Sequence, residues 1–258
     1  MNLDLENKKA LITGSSRGIG LSIAESFLQE GAKVCLVSRG SDALFQSEEK
    51  LQKTYEPDSV IVQKCDCSNI ESLKNLKEKI KNRWGGLDIV VANVGDGRSV
   101  QDALPDDDHW KEVWSVNFES ALQTARTFLP LLKKSKGCLL FVSSIAGMEA
   151  FGAPTDYSVA KTAIISLAKN MARKLASDHV RVNVVAPGNV YFEGGTWDKK
   201  IEEDPDQVRN IIKETVPMNR FSTPEEIANP VVFLCSDKAS FITGAILRVD
   251  GGQTVSVL

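Results

Sequence analysis

The chain has 258 residues, 42% of them hydrophobic and 25% charged, and these proportions are typical of an ordinary globular protein. Its formal net charge of -3 argues against a general partner among nucleic acids or anionic membrane surfaces. There is no apolar signal segment at the start and no apolar run of bilayer length, so we expect a cytoplasmic protein that binds neither nucleic acid nor membrane.

Short β-rich runs alternate with longer helical patterns along almost the whole chain. Seven runs are predicted as strands: Lys9–Thr13, Lys33–Ser38, Ser59–Cys65, Asp88–Asn93, Gly137–Ser143, Val180–Ala186 and Ala245–Val249. Six segments have helical length and pattern: Ile19–Glu30, Asp42–Thr54, Ile70–Arg83, Asp107–Leu132, Asp156–Ser177 and Pro224–Cys235. Several strands are apolar throughout, which is typical of a parallel sheet covered on both faces. The pattern predicts one α/β domain over residues 1–258, a doubly wound sheet of about seven parallel strands with helices on both faces.

The first predicted strand runs directly into a glycine-rich turn, and a helix follows. The turn reads Thr13-Gly14-Ser15-Ser16-Arg17-Gly18-Ile19-Gly20. Glycine permits a tight turn and a close approach of the backbone to a pyrophosphate, and the helix N-terminus offers N–H groups to an anion. The order of strand, turn and helix therefore predicts a dinucleotide site, although the spacing differs from Gly-x-Gly-x-x-Gly.

The five cysteines are odd in number, and four of them lie in apolar strand or helix patterns, as buried thiols do. Cys65-x-Cys67 is not a zinc spacing, and only His109 and His179 could add imidazole ligands. We expect reduced thiols and no metal.

Tyr157 and Lys161 are four residues apart on a predicted helix, and Ser144 precedes the tyrosine by thirteen residues. Residues at i and i+4 share a helix face, so the phenol and the ammonium can reach one site. A cation ~5 Å from the phenol would lower its pKa from ~10 by about two units. This makes Tyr157 a candidate general acid, with Ser144 holding a substrate oxygen, although Tyr-x-x-x-Lys alone also arises by chance.

Residues Asn189–Asp206 fit neither a strand nor a helix pattern. Gly194 and Gly195 give hinge freedom, and neighbouring aromatic side chains could cover an apolar ligand. Since the stretch follows the end of a strand, we interpret it as a substrate-side loop or lid; the alternative is a surface excursion.

A series of motifs in fixed order resembles the short-chain dehydrogenase/reductase family from Leu5 to Gly252. The matching residues are Gly14, Gly18, Ile19 and Gly20, then Asp66, Asn93, Gly95, Asn117, Ser143, Ser144, Tyr157, Lys161, Asn183, Pro187 and Gly188, and finally Asp250 to Gly252. The resemblance implies a Rossmann-type fold and hydride transfer between a nicotinamide and a carbonyl or alcohol carbon. It also implies a homotetramer or dimer, built on the helix around Tyr157 and on the C-terminal segment.

The resemblance assigns four catalytic residues. Tyr157 donates the proton, Ser144 binds the substrate oxygen, and Lys161 lowers the tyrosine pKa and binds ribose hydroxyls. Asn117 anchors a water that relays protons to the lysine. The cofactor set that it implies consists of Gly14, Ser16, Arg17, Gly18, Ile19, Gly20, Ser38, Arg39, Asp66, Cys67, Asn93, Gly95, Tyr157, Lys161, Pro187, Gly188 and Val190.

The end of the second predicted strand favours NADP(H). In dinucleotide-binding sheets an acid at this point binds the ribose hydroxyls, but here the strand ends Ser38-Arg39. Arg39 and Arg17 could hold a 2′-phosphate from two sides, unless both are solvated surface cations. Asp66 would accept from the adenine amino group, or else cap the helix that begins near Ile70.

Three departures from the family pattern bear on the substrate. Val94 stands in the turn between Asn93 and Gly95, Phe192 replaces a threonine that often helps to hold the carboxamide, and residues 96–99 are unusually polar. We favour an NADPH-dependent carbonyl reductase of the 3-oxoacyl-carrier-protein reductase type. A sugar, polyol, steroid or secondary-metabolite ketone, a dehydrogenase working in the oxidising direction, and a non-catalytic NADP sensor are the alternatives. An acidic carrier protein would need a basic patch beside the cleft for charge complementarity. The candidates for this patch are Arg126, Lys133, Lys134 and Lys136.

Overall fold

Seven strands form one parallel sheet in the computed structural model, which describes residues 2–100 and 102–257. The strands are β1 (Lys9–Thr13), β2 (Lys33–Ser38), β3 (Val60–Lys64), β4 (Ile89–Ala92), β5 (Cys138–Val142), β6 (Arg181–Pro187) and β7 (Ile246–Val249). Their order across the sheet is β3-β2-β1-β4-β5-β6-β7, and every neighbouring pair is parallel. The predicted fold class is confirmed.

Helices cover both faces of the sheet. They are α1 (Gly18–Gln29), α2 (Asp42–Gln52), α3 (Ile70–Trp84), α4 (Asp107–Trp114), α5 (Ser120–Ser135), α6 (Thr155–Leu175), α7 (Thr196–Glu203), α8 (Pro205–Thr215) and α9 (Pro224–Cys235). Alternate residues of each strand point to opposite faces, so Ile12 packs with Phe27 of α1 while Leu11 belongs to the cluster that holds Phe128 of α5. Both phenylalanines are fully buried, and each such side chain stabilises the fold by roughly 1.5–3 kcal/mol.

The strand order places a ligand cleft between β1 and β4. From β1 the chain builds outward through β2 and β3, then returns to the other side of β1 as β4. At such a reversal the loops after the two strands diverge and leave a crevice at their carboxyl ends. The glycine turn after β1 and Asn93 after β4 both reach this crevice because the neighbouring strands are in register.

The predicted helix Asp107–Leu132 is interrupted. Residues Ser115–Glu119 form a π turn between α4 and α5, and α5 continues to Ser135. Hydroxyl groups just after the turn bond back to carbonyls, from Ser120 to Val116 at 2.6 Å and from Thr124 to Ser120 at 2.7 Å. Such bonds compete with the regular helix ladder. Asn117 lies in the turn, where π geometry is frequent at functional sites.

The prediction that Asn189–Asp206 is irregular is wrong from Thr196 onward. That part forms α7, and α8 follows after Asp204, whose side chain accepts from the backbone N–H of Gln207 at 2.9 Å. The two helices enclose a small apolar cluster of their own: Trp197, Ile201, Val208, Ile211, Ile212, Val216 and Phe221. Both helices are strongly charged on their outer faces, and this charge conceals their helical pattern in the sequence.

Candidate active site

The glycine turn has the shape that a bound phosphate requires. Gly14 and Gly18 have positive φ values of 65° and 56°, which other residues adopt only with strain. A Cβ on Gly20 would lie 2.2 Å from the carbonyl oxygen of Gly14, so helix and turn touch there. Asn93 fixes the turn from β4, because its Nδ2 donates to the carbonyls of Thr13 and Gly14 at 3.0 and 3.1 Å. The predicted role of Asn93 near the cofactor is thus a structural link to the turn.

The segment before α7 closes over this turn. The ring of Phe192 lies against Gly18, at 2.6 Å from the position that a Cβ on that glycine would take. Arg17 Nη1 donates to the carbonyl oxygen of Gly194 at 3.1 Å. Phe192 and Thr196 line both the cavity of about 260 Å³ at the turn and the neighbouring cavity of about 690 Å³. Phe192, which stands where the resemblance leads one to expect a threonine, therefore packs on the glycine turn.

The larger cavity contains three of the four residues predicted to be catalytic: Ser144, Tyr157 and Lys161. Tyr157 and Lys161 lie one turn apart on α6, and Lys161 Nζ is 5.7 Å from the centre of the tyrosine ring. The loop after β5 is tied to the same helix, because Ser143 Oγ donates to the carbonyl oxygen of Lys161 at 2.8 Å. Ser144 Oγ accepts from the backbone N–H of Ala146 at 3.1 Å, and the Ser144 side chain is also hydrogen-bonded to Tyr157.

Asn117 lies beside this group without pointing into the cavity. Its Oδ1 accepts from the backbone N–H of Asp96 at 2.9 Å, and its Nδ2 donates to the carbonyl oxygens of Asp96 and Val113. A Cβ on Gly95 would lie 3.1 Å from Asn117 Oδ1 and 2.7 Å from Lys161 Nζ. The Asn117 side chain thus holds the loop after β4 in place, and a larger residue than glycine at position 95 would displace the lysine nitrogen.

The predicted depression of the Tyr157 pKa is wrong for this structure. Burial raises the pKa of Tyr157; its hydrogen bond with Ser144 opposes this shift, and the negative charge of Asp96 adds to it. Burial also lowers the pKa of Lys161 from 10.5 to about 8. Desolvation of both groups outweighs the attraction on which the sequence argument rested. Tyr157 is therefore held in its protonated, proton-donating form.

The lowered pKa of Lys161 gives a testable expectation for the stability of the protein. The unfolded lysine binds its proton more tightly, so between about pH 8 and 10.5 the unfolded state holds more protons and stability rises with pH. Below pH 8 the buried cation costs roughly 3 kcal/mol. We expect Lys161→Met to raise the free energy of unfolding below pH 8, with a gain that shrinks toward pH 10.5, in denaturant titrations at both ends. A gain of equal size at both ends would contradict the expectation.

The residues predicted to bind the adenosine part are only partly brought together. Asp66 accepts from the backbone N–H and hydroxyl of Ser68 at 2.9 and 2.7 Å. It does not cap α3, since Asn69 does so by accepting from Ser72 at 3.0 Å. The Cys67 side chain is buried in the core, and Cys67 lines neither cavity. Burial raises the pKa of Asp66, but the hydrogen bonds from Ser68, with a smaller contribution from the charge of Arg39, lower it overall. Arg39 is exposed just after the end of β2.

One group in the cleft was not found from the sequence. Gln253 Oε1 is the one buried side-chain nitrogen or oxygen, within the described residues, that has no hydrogen-bond partner. It lies 3.0 Å from the position of a Cβ on Gly188, beside the residues expected to meet the nicotinamide. Its Nε2 faces Thr215 at 3.5 Å, and the Thr215 hydroxyl donates to Ile211, so the amide oxygen is the end turned toward Gly188. The Asp250-Gly251-Gly252 motif directly before it was the available signal.

The glycine turn after β1 and the unpartnered acceptor Gln253 Oε1 in the cleft are features that suit a bound dinucleotide. In residues 2–100 and 102–257 no three or more His, Cys, Asp and Glu side chains are grouped so as to hold a metal ion. All five cysteines are buried free thiols. No helix in this part of the chain combines the length and apolarity needed to cross a membrane.

Comparisons with known proteins agree with the geometry. A family model described as enoyl-(acyl carrier protein) reductase matches residues 14–254. An oxidoreductase of Bacillus subtilis, whose name calls it uncharacterized, is 36% identical over 98% of both chains. The 3-oxoacyl-acyl-carrier-protein reductase of Aquifex aeolicus is 34% identical over 98% of this chain and 100% of its own. The crystal structure of L-sorbose reductase from Gluconobacter frateurii, complexed with NADPH and L-sorbose, has a TM-score of 0.91 at 31% identity and covers 100% of both chains.

A parallel sheet with its cleft at the strand reversal defines the class of dinucleotide-binding α/β proteins. Within that class the chain belongs to the short-chain dehydrogenase/reductase family of oxidoreductases, since the family model and the relatives span nearly its whole length. The resemblance inferred from the sequence motifs is confirmed.

Proposed function

We propose that this protein is an NADP(H)-dependent carbonyl reductase that forms a secondary alcohol, with Tyr157 as the proton donor. The observation that carries the proposal is the shared cavity: Ser144, Tyr157 and Lys161 line the same space as Ile19 of the glycine turn and Pro187-Gly188. A carbonyl compound and a nicotinamide can therefore meet there.

The proposed reaction follows from the proton-bearing groups. NADPH, when bound, supplies a hydride to the carbonyl carbon. The oxygen gains negative charge as the hydride arrives, so Tyr157 O–H donates its proton to it and the Ser144 hydroxyl stabilises it with a hydrogen bond. Lys161, whose pKa near 8 is lowered by burial, can exchange a proton at near-neutral pH and so restore the phenol. The products are the alcohol and NADP⁺.

The charges at the end of β2 support NADP(H), and the NADPH complex of the L-sorbose reductase agrees with this choice. The residue after Ser38 is not an acid but Arg39. Arg17 would first have to give up its contact with Gly194 to bind a phosphate. We therefore assign most of the binding of the 2′-phosphate to Arg39.

Arg39→Ala should weaken NADPH binding by about 10–100-fold, the value of a charge-assisted hydrogen bond, and leave NADH binding unchanged. Fluorescence titration with both cofactors measures this difference. Arg126→Ala removes an exposed arginine on α5 and serves as the matched control. Equal losses for NADPH and NADH would show that Arg39 does not contact the 2′-phosphate.

Gln253 supports the position proposed for the nicotinamide. Its Oε1 is an acceptor that a carboxamide N–H could satisfy, in place of the absent threonine. A buried, unpaired acceptor costs about 1–3 kcal/mol, so Gln253→Met should raise the melting temperature of the free protein by a few degrees. The same variant should bind NADPH several-fold more weakly. Calorimetry and cofactor titration measure the two effects, and a change of both quantities in the same direction would contradict the assignment.

A 3-oxoacyl thioester is the favoured substrate class. The cavity that holds Tyr157 is also lined by the apolar side chains of Phe151, Trp197 and Ile211, which suit an acyl chain better than a row of hydroxyl groups. The Aquifex relative supports this class, whereas the L-sorbose reductase supports a sugar ketone as the second candidate. Of the basic residues considered for a carrier-protein contact, Lys133 forms an ion pair with Asp178 at 2.7 Å, so its charge is partly neutralised within the chain.

The decisive experiment follows NADPH oxidation by absorbance with a panel of carbonyl compounds. The panel contains an acetoacetyl thioester, a β-keto ester, L-sorbose, a quinone and a ketosteroid, and NADH is run in parallel. Turnover of the thioester supports the favoured class, and turnover of L-sorbose alone replaces it with the sugar class. Tight NADPH binding without turnover of any carbonyl would overturn the reductase proposal in favour of a sensor.

We also propose that the protein forms a homotetramer or a homodimer. On α6, the helix that carries Tyr157, the apolar side chains of Ile164, Ala168 and Leu175 are buried in the core and offer little surface to a partner. Apolar groups remain exposed at the other proposed contact, notably Phe241 and the β7 residues Ile246 and Leu247. Light scattering during gel filtration measures the mass, and a monomer at micromolar concentration would contradict the proposal.

A further inference from the structure

Three polar side chains from different parts of the chain meet beside Tyr157. Asp156 is the residue just before the tyrosine and is only 1% exposed. Ser99, in the loop between β4 and α4, lies 2.9 and 2.8 Å from its two carboxylate oxygens. His109 of α4 completes the group, with its Nε2 at 2.7 Å from Ser99 Oγ and 3.5 Å from Asp156 Oδ2.

The protons in this cluster follow from the donors and acceptors. The single hydroxyl proton of Ser99 points to the carboxylate, which cannot donate when ionised. Ser99 Oγ must therefore accept from His109, whose Nε2 carries a hydrogen. Asp156 Oδ1 also accepts from the backbone N–H of Tyr157 at 2.7 Å. The buried carboxylate is thus held by a hydroxyl, a backbone amide and a neighbouring imidazole.

The arrangement is not that of a hydrolytic triad. In such a triad the imidazole lies between the serine and the acid, so that it can take the serine proton. Here the serine lies between the imidazole and the acid and gives its proton to the acid. No group in the cluster is positioned to activate Ser99 as a nucleophile, which leaves a role in positioning.

The cluster fixes one end of a short loop that covers the catalytic tyrosine. The other end is fixed at Asp96, whose backbone N–H and carbonyl both bond to the Asn117 side chain. Between the two anchors, Gly97 lies against the tyrosine ring, where a Cβ would be 3.8 Å from Cζ. Arg98 then bonds to the Asp96 carboxylate, with Nε to Oδ1 at 2.9 Å. Because Ser99 also lines the larger cavity, movement of this loop would change both the tyrosine and the substrate space.

We infer that Ser99, His109 and Asp156 are positioning residues that hold the loop 96–99 across Tyr157 and so set the substrate space around the proton donor. The inference rests on the proposed reaction, in which Tyr157 is that donor. It gives the polar residues 96–99, which are not among the predicted catalytic or cofactor residues, a role in holding this loop. Asp156 positions the tyrosine through its backbone, and Ser99 and His109 position the loop.

The kinetic test uses Ser99→Ala, His109→Ala and the double variant. Ser99→Ala removes a hydrogen bond to the buried carboxylate, and His109→Ala removes the hydrogen bond that orients Ser99. Each single variant should therefore lower kcat/KM for the carbonyl substrate by about tenfold, mainly through KM. NADPH affinity is titrated for the same variants, because Asp96, Gly97 and Arg98 of the loop also line the cavity at the glycine turn. The larger loss should fall on the carbonyl substrate, since Ser99 itself lines the cavity that holds Tyr157. The double variant should be no worse than the more severe single variant, since the residues act as a unit. Ser99→Thr keeps the hydroxyl group and should therefore keep near wild-type activity. Glu112→Gln, which changes an exposed residue on α4, is the control.

A second measurement does not depend on turnover. Arg98 is a trypsin site inside the loop, and His109→Ala leaves the sequence around it unchanged. Release of the loop should increase the rate of cleavage after Arg98 by about tenfold over wild type and over Glu112→Gln. Unchanged cleavage overturns the inference, even if the reductase proposal has failed. Unchanged kcat/KM in an active enzyme, or additive losses in the double variant, also overturn it while leaving the reductase proposal intact.

Discussion

Tyr157→Phe is expected to lower kcat for carbonyl reduction by a factor of about 10²–10⁴, the usual contribution of a positioned general acid. The variant keeps the ring and its packing, and it removes only the O–H that donates to the developing oxyanion. Because burial holds the pKa of Tyr157 above its ordinary value, the wild-type phenol stays protonated at neutral pH and is available as a donor. The residual rate would come from Ser144 and from the proximity of the two reactants. Steady-state kinetics with saturating NADPH measures the change.

The matched control is Tyr55→Phe. Tyr55 packs against the core cluster that contains Ile12 and Phe27, and it lies outside both cavities. The control variant should keep full activity, and both variants should bind NADPH with nearly the wild-type affinity. A Tyr157→Phe variant that retained more than about a tenth of kcat would remove the tyrosine from the role of proton donor.

Gly20→Ala is expected to destabilise the protein by about 3 kcal/mol and to abolish tight NADPH binding. The added methyl group would lie 2.2 Å from the carbonyl oxygen of Gly14 and 2.7 Å from Asn93 Nδ2. The first of these neighbours is backbone and cannot rotate away, so the turn itself must shift. A shifted turn no longer offers its N–H groups to the pyrophosphate in the required geometry. Thermal unfolding should show a fall of about 6–12 °C, and cofactor titration should show the loss of affinity.

Gly40→Ala is the control for this change. Gly40 is exposed after β2, and a Cβ there would have no heavy atom within 4 Å. Its melting temperature and cofactor affinity should stay close to those of the wild type. If Gly20→Ala behaved like Gly40→Ala, the close contact between α1 and the glycine turn would not matter for the cofactor site.

The motifs with fixed spacing were predictable because each one encodes its own local geometry. The glycine turn could be located from the strand before it and the helix after it. Tyr157 and Lys161 could be paired because a helix repeats its face every three to four residues. The apolar strands indicated a covered parallel sheet, and the observed strand order agrees.

Long-range contacts were not predictable from spacing. Asn117 was expected in a regular helix, but its amide holds the backbone of Asp96, and the chain passes through a π turn there. Arg17 contacts Gly194, which is 177 residues away in sequence, and no spacing in the sequence indicates that contact. The helical structure of α7 and α8 was not predicted, because these helices bury their apolar residues mainly against each other and Phe221.

The sequence by itself determined the fold class, the family and the pairing of Tyr157 with Lys161, since these depend on local periodicity and on the order of elements along the chain. Only the tertiary structure decided the protonation of that pair and the surroundings of Tyr157. Burial raises the pKa of the phenol and lowers that of the ammonium, and burial depends on what packs around α6. Contacts such as Ser99 with Asp156 and Gln253 with Gly188 join residues whose separation along the chain carries no signal of their meeting.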